Sequence, residues 1–176
     1  PDERTAPASG TVTNPAAGTT VVSTQGYTFD GRVNPKKPAR LVAAGPEGDT
    51  RWTYQSRDPG AWFFDVDPLP GGNLLVVSPR DGATLVYELD PETERRVWER
   101  RLPFEDTHDV DLLSEDELVV SHMRAWNPEN RTSGDRVVVY NLTTDEVTWS
   151  WRYREHFPAD TDGGQNPDWT HSNDVD

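Results

Sequence analysis

The sequence predicts an all-β chain built from a repeated four-stranded unit, and three observations predict it. A motif and the strand that follows it recur without gaps 44 residues apart. Short runs of β-branched and aromatic residues alternate with turns rich in Gly, Pro, Asn and Asp. No stretch sustains the 3.6-residue period of an amphipathic helix, so helices should be few.

The repeat opens at Phe64-Asp65-Val66-Asp67, which returns as His108-Asp109-Val110-Asp111. At the same spacing of 44, Leu69 falls on Leu113, Leu74 on Leu118, Leu75 on Val119, Val76 on Val120 and Arg80 on Arg124. The later part of the unit recurs at a spacing of 53, where Val86-Tyr87 falls on Val139-Tyr140, Leu89 on Leu142 and Trp98 on Trp151. The nine-residue difference is assigned to a loop at 125–135, rich in Asn, Pro and Gly. The opening motif comes round a third time as Asn173-Asp174-Val175-Asp176.

Each unit reads as four short strands. In the second copy they are expected at 108–113, 117–123, 136–142 and 146–153. Its turns Ser114-Glu115-Asp116 and Thr143-Thr144-Asp145 answer to Leu69-Pro70-Gly71-Gly72-Asn73 and Asp90-Pro91-Glu92-Thr93 in the first. Ahead of both copies, residues 19–56 hold about three strands of an earlier unit.

Four strands in about 44 residues is the size of one β-propeller blade. A lone sheet leaves both faces in water. Neighbouring sheets cover them, with a tryptophan of an outer strand packed between, a role that suits Trp52, Trp98 and Trp149 or Trp151. A β-sandwich is the competing fold, and it leaves the gapless echo unexplained. The expected fold is therefore all-β, an incomplete propeller of four-stranded blades. Blades are placed at about 19–60, 61–105 and 106–156, and the first strand of a fourth begins near 169, so that 19–176 form a partial propeller domain. Propellers need at least four blades, so further blades are expected beyond Asp176. Residues 1–18, rich in Pro, Ala, Gly and Thr, read as a disordered tail or linker.

Charge narrows the function classes. Acidic residues number 31 against 17 basic ones, only Lys36 and Lys37 are lysine, and the net charge is −14. Self-repulsion at that charge weakens a compact state unless salt screens it, so a salt-adapted, acidic protein is expected. No basic stripe is present to neutralise phosphates, which argues against a nucleic-acid partner. The absence of cysteine excludes disulfides and thiolate metal sites. No 18-residue apolar run occurs, so this segment is not expected to span a membrane, and any anchor would lie elsewhere. The chain starts at Pro1 without a signal peptide, as a mature or excised product would. Two sequons, Asn130-Arg131-Thr132 and Asn141-Leu142-Thr143, lend weak support to an extracellular or cell-surface location.

In a propeller the first strand of each blade lines the central channel. The residue before each Asp-Val-Asp changes from Phe64 to His108 to Asn173, with His171 two residues before the last. A scaffold position that holds Phe in one blade and His in the next is where a site can be built.

At these positions a resemblance becomes specific. Trp169-Thr170-His171-Ser172-Asn173 resembles the W-x-H-x-N segment of arylsulfotransferase-like propellers, and Thr107-His108-Asp109-Val110 resembles their His-Asp blade opening. Leu69-Pro70-Gly71-Gly72-Asn73 is similar to their L-P-x-G-N turn, and Asp90-Pro91-Glu92-Thr93 to their D-P-x-T turn. The resemblance covers most of the chain from about Thr19 onward. It implies transfer of a sulfuryl group from an aryl sulfate to a phenolic acceptor, with no nucleotide sulfate donor, cofactor or metal. A neutral imidazole suits the attack on sulfur, because its pKa leaves a nitrogen lone pair near neutral pH. The charge spread over the sulfuryl oxygens then requires donors facing it. The resemblance makes His171 the nucleophile candidate and His108 a channel-facing stabiliser or second candidate, with Arg124 and Asn173 holding the sulfuryl oxygens. Phe64 departs from the pattern, standing where the next blade has His108.

Plainer readings stand beside these. His108 could bond a neighbouring strand, while His122 and His156 read as loop or blade-edge residues. The Asp-Val-Asp pairs read as strand geometry and hydrogen bonding rather than acid–base groups. Asp160-Thr161-Asp162-Gly163-Gly164 is an oxygen-rich turn followed only by Asn166 and Asp168, short of a calcium loop's ligand set, and reads as solvated. The alternative function is a non-catalytic surface propeller acting as a binding or structural module. A quinone-dependent dehydrogenase propeller fits the turns and tryptophans but lacks its metal ligands. The fold alone does not choose among them.

Overall fold

A computed structural model describes residues 17–24, 39–56, 62–80, 82–123, 125–127, 132–158, 160–161 and 170–175. Strands β1 (Thr20–Thr24), β2 (Arg40–Ala44) and β3 (Thr50–Gln55) form a first sheet in chain order. A second sheet comes next, with β4 (Asp65–Pro68), β5 (Leu74–Arg80), β6 (Ala83–Asp90) and β7 (Arg95–Leu102) again in order. The third begins with β8 (Val110–Leu112) and β9 (Glu117–His122), is interrupted by a small hairpin of β10 (Trp126–Asn127) and β11 (Thr132–Ser133), and resumes with β12 (Arg136–Asn141) and β13 (Glu146–Arg152). Every pairing is antiparallel. The described residues contain no α-helix, only a single 3-10 turn at Tyr153–Glu155, and no helix long and apolar enough to cross a membrane.

The three sheets stack face to face, and the second lies in the middle. Successive side chains of a strand point to opposite faces, so β5 divides its residues between two seams. Leu74 and Val76 pack with Leu41 and Tyr54 of the first sheet, and Tyr87 and Leu89 of β6 join them. Leu75, Val77 and Val86 pack the other way, against Leu118, Val120, Val138 and Tyr140 of the third sheet. Each fully buried Leu or Val contributes about 1.5–3 kcal/mol of apolar burial. A two-layer sandwich buries only one face of each sheet; this middle sheet is buried on both.

One irregularity recurs in all three sheets. The turn before each outer strand carries a residue in the left-handed region, namely Gly48 (φ 80°), Glu94 (φ 56°) and Asp145 (φ 56°). Four residues later comes a tryptophan, beside a register shift: Trp52 opposite Ala43, Trp98 opposite Glu88 and Trp149 opposite Val139. The last two turns share their closure too. Asp90 Oδ1 accepts the N–H groups of Glu92 and Thr93, and Asn141 Oδ1 accepts those of Thr143 and Thr144. Trp52 packs into the seam between the first two sheets and Trp98 into that between the second and third. Trp149, at the same position, is 51% exposed.

This register corrects the repeat. Leu74 pairs with Leu89 and Val76 with Tyr87, whereas Leu118 pairs with Tyr140 and Val120 with Val138. The counterpart of Leu89 is thus Tyr140, and that of Trp98 is Trp149, a spacing of 51 rather than 53. The sequence echo is two residues out of step. A slip of two leaves every side chain on its own face, so the apolar pattern matches at either spacing.

Candidate functional site

Residues 170–175, which hold most of the third copy of the opening motif, lie across one end of the third sheet, against the starts of β12 and β8 and the end of β9. Burial alternates there, with Thr170 and Ser172 buried and His171 and Asn173 exposed. The buried residues make the attachment. Thr170 Oγ1 accepts the N–H of Asp135 at 2.9 Å, and the Ser172 N–H donates to Asp135 Oδ2 at 2.7 Å. Ser172 Oγ meets Ser121 Oγ of β9 at 2.6 Å, and the Val175 N–H donates to Asp109 Oδ2 at 2.6 Å. Docking through residues 170 and 172 leaves 171 and 173 outside, beside the start of β8.

There the side chains converge. The rings of His108 and His171 are 5.2 Å apart at 81°, and the ring of Phe64 sits edge-on to His108 at 4.3 Å. His108 Nδ1 lies 2.8 Å from Asn173 Oδ1, while Asn173 Nδ2 donates to the His171 carbonyl at 3.3 Å. The second bond fixes which end of the amide is which. An amide oxygen only accepts, so His108 Nδ1 carries the hydrogen and Nε2 holds the lone pair of the neutral ring. Of the residues singled out in the sequence, His108, His171 and Asn173 are therefore neighbours. Arg124 lies outside the described residues, as does Asp162; Asp160 and Thr161 lie in a turn where Thr161 donates to the Pro158 carbonyl.

His122 differs from its expectation. It ends β9 and is buried in the seam with the second sheet, its ring 4.9 Å from that of Phe104. Arg136 Nε–H donates to its Nδ1 at 3.0 Å. Burial, and then the Arg136 charge, push its pKa down to about 4, so it is a neutral acceptor. His156 stacks on Trp151 beyond the last strand, ring centroids 4.5 Å apart.

A cluster of carboxyl groups adjoins the histidines, and the sequence marks it as strand geometry rather than chemistry. Oxygens of Asp65, Asp67 and Asp109 all lie within 4.8 Å of one another. Burial, followed by hydrogen bonds with Asp67 and Asp109, raises Asp65 to about 9. Burial also raises Asp109, to about 6, against the lowering effect of its bonds to Asp65 and the Val175 N–H. Oxygens this close share a proton or take up a hard cation, for which carboxylates are suitable ligands. The available signal is the repeat itself, which puts an aspartate at the same place on consecutive first strands. A cleft of about 410 Å³ at the other end of β8, lined by Trp98, Arg100, Glu115, Asp116, Leu142 and Thr143, contains no histidine.

No family model matches the chain, and no curated protein matches it. Among solved structures, it is similar to a protein of unknown function from Bacteroides caccae, with 13% identity and a TM-score of 0.35. The match takes in 71% of this chain and only 63% of the other, and at that level the likeness bears on neither fold nor function.

Proposed function

We propose that the three sheets are consecutive blades of a β-propeller and that the openings of β4 and β8, with residues 170–175, form a site for sulfuryl transfer from an aryl sulfate to a phenol. The observation that carries the reading is the approach of the His108 and His171 rings to 5.2 Å, with Asn173 bonded to the first. His171 is exposed beside His108, which suits it as the attacking group; with Nδ1–H engaged by Asn173, His108 faces the sulfuryl oxygens as a donor only as the imidazolium, through Nε2–H. A nitrogen lone pair of His171 forms the N–S bond as the ester S–O bond breaks, and the aryl oxygen leaves with the electron pair. The phenolic oxygen of the acceptor then attacks sulfur, the N–S bond breaks, and the acceptor's proton passes to the departed phenolate.

The substrates are small molecules, and the resemblance and the sequons favour an extracellular or cell-surface setting. The test is release of nitrophenolate from 4-nitrophenyl sulfate by the full-length protein, with a phenol acceptor and molar salt to screen the acidic surface. Turnover is expected, and His171→Ala should abolish it; undiminished turnover in that variant removes His171 from the chemistry. One observation favours the second reading, a non-catalytic binding or structural module. Phe64 presses its ring against His108, and Asn173 bonds the same imidazole, as in a packing contact between units. Absence of turnover in the unmodified protein selects that reading.

A further inference from the structure

The side chains around His171 and His108 are held by groups that do not themselves face the rings. Residues 170–175 have two carboxylate anchors, one toward each end. Asp135, 0% exposed and just ahead of β12, accepts the Ser172 N–H through its side chain and donates its own N–H to Thr170 Oγ1. Its carbonyl also accepts the Tyr153 N–H, which ties it to the end of β13. Asp109, 4% exposed and just ahead of β8, accepts the Val175 N–H, while its carbonyl accepts the N–H of Ser121 in β9. Asn173 lies between the two carboxylate-held N–H groups, and His171 lies between Thr170 and Ser172, both of which Asp135 holds.

We infer that Asp135 and Asp109 are positioning residues, a two-point clamp that holds residues 170–175 so that His171 and Asn173 meet His108. The physical case rests on strength and direction. A carboxylate accepting a backbone N–H makes a charge-assisted bond, roughly twice as strong as a neutral one. Here both N–H groups belong to the stretch that displays the histidine, and both acceptors are buried and fixed to the third sheet. The bonds set where the backbone of residues 172 and 175 runs. That path sets the position of Asn173, and the paired Asp135 bonds to Thr170 and Ser172 set that of His171 between them. Neither carboxylate is assigned contact with the sulfuryl group, so neither is a catalytic residue.

The inference rests on the proposed histidine site, but its readout is ring geometry rather than turnover. In the full-length protein, the nuclear Overhauser contact between the His108 and His171 rings is measured alongside amide exchange of Val76, Val77 and Val120. Asp135→Ala should abolish the ring contact and leave exchange in the sheets slow. Asp135→Asn, whose amide oxygen still accepts an N–H, should restore it. Asp109→Ala should weaken the contact, because the second attachment remains. If Asp135→Ala unfolds the sheets, Ser172→Pro leaves Asp135 in place and removes the same N–H from the other side, together with the Ser172 hydroxyl contact to Ser121, and the same loss is expected. A ring contact kept in Asp135→Ala or in Ser172→Pro overturns the clamp. Where the protein turns over aryl sulfate, Asp135→Ala should lower kcat by about 100-fold with KM little changed, the order expected when a reacting group shifts by about 1 Å. A protein inert toward aryl sulfate that still loses the ring contact in Asp135→Ala sinks the function and keeps the clamp.

Discussion

Trp98 of the second sheet and Trp149 of the third each come four residues after a left-handed turn residue and beside the same register shift, yet only Trp98 packs against a core. Trp149 is 51% exposed, and Val147 two residues before it is 40% exposed. The strands are alike in pairing and in turn chemistry. The difference is a neighbour: the third sheet covers Trp98, and no described sheet covers Trp149. Burial in this molecule is conferred by the next sheet rather than by the strand that carries the residue. The middle sheet is the part of the chain that shows the fold's full packing.

Removing each tryptophan is the direct way to break the comparison. Trp98→Ala should cost about 3 kcal/mol, read as a fall in the urea midpoint, because it empties a packed seam. An equal loss from Trp149→Ala would mean that its face is covered in solution, and the contrast between the two sheets would fail.

Titration sharpens the comparison between the first-strand edge and the seam behind it. The ordinary value of 3.8 for Asp65 rises to about 9. Over that window the folded protein keeps a proton that the unfolded chain releases, so stability falls as pH climbs. Asp109 adds to the slope only up to about 6. Asp65→Asn should therefore raise the unfolding midpoint at pH 8 and flatten its decline between pH 6 and 9; a slope left unchanged would place the titration elsewhere. In the seam the sign reverses. His122 falls from 6.5 to about 4, so the unfolded chain takes up a proton the folded one refuses, and stability drops as pH falls through that window. His122→Gln keeps an acceptor for Arg136 and should remove this acid limb, visible as a flatter midpoint between pH 6.5 and 4. For residues 1–176 alone the smallest effect belongs to Trp149→Ala, within about 0.5 kcal/mol, as for most surface substitutions; where a further blade covers that face, the loss should approach that of Trp98→Ala.

The legible parts of the sequence are those that are local or repeated. The turns at Asp90 and Asn141 announce themselves, because a carboxylate or amide oxygen capping two N–H groups is a short-range event. The strands of the third sheet fall at the places expected, within two residues at either end. The second half of the repeat misleads because alternation is blind to a shift of two. At the site, His108 and Asn173 can be found because the repeat places them at equivalent positions before Asp-Val-Asp. Asp135 and Ser121 cannot, since their partners Thr170 and Ser172 lie 35 and 51 residues away and no repeat marks them. The aspartates are visible as a motif, but the motif alone suggests only a structural part. Their mutual approach depends on consecutive first strands being neighbours, which no single unit contains.

The alternation of residues 170–173 gives that stretch a parity. Delete one residue within it and every later position changes sides: a group meant for solvent turns inward, and an anchor turns out. Delete two and the order is kept, with the stretch merely shorter. Length changes in the residues leading to it should be absorbed far more readily than a single-residue change inside it, so insertions and deletions should be tolerated ahead of Thr170 and rejected between Thr170 and Asn173.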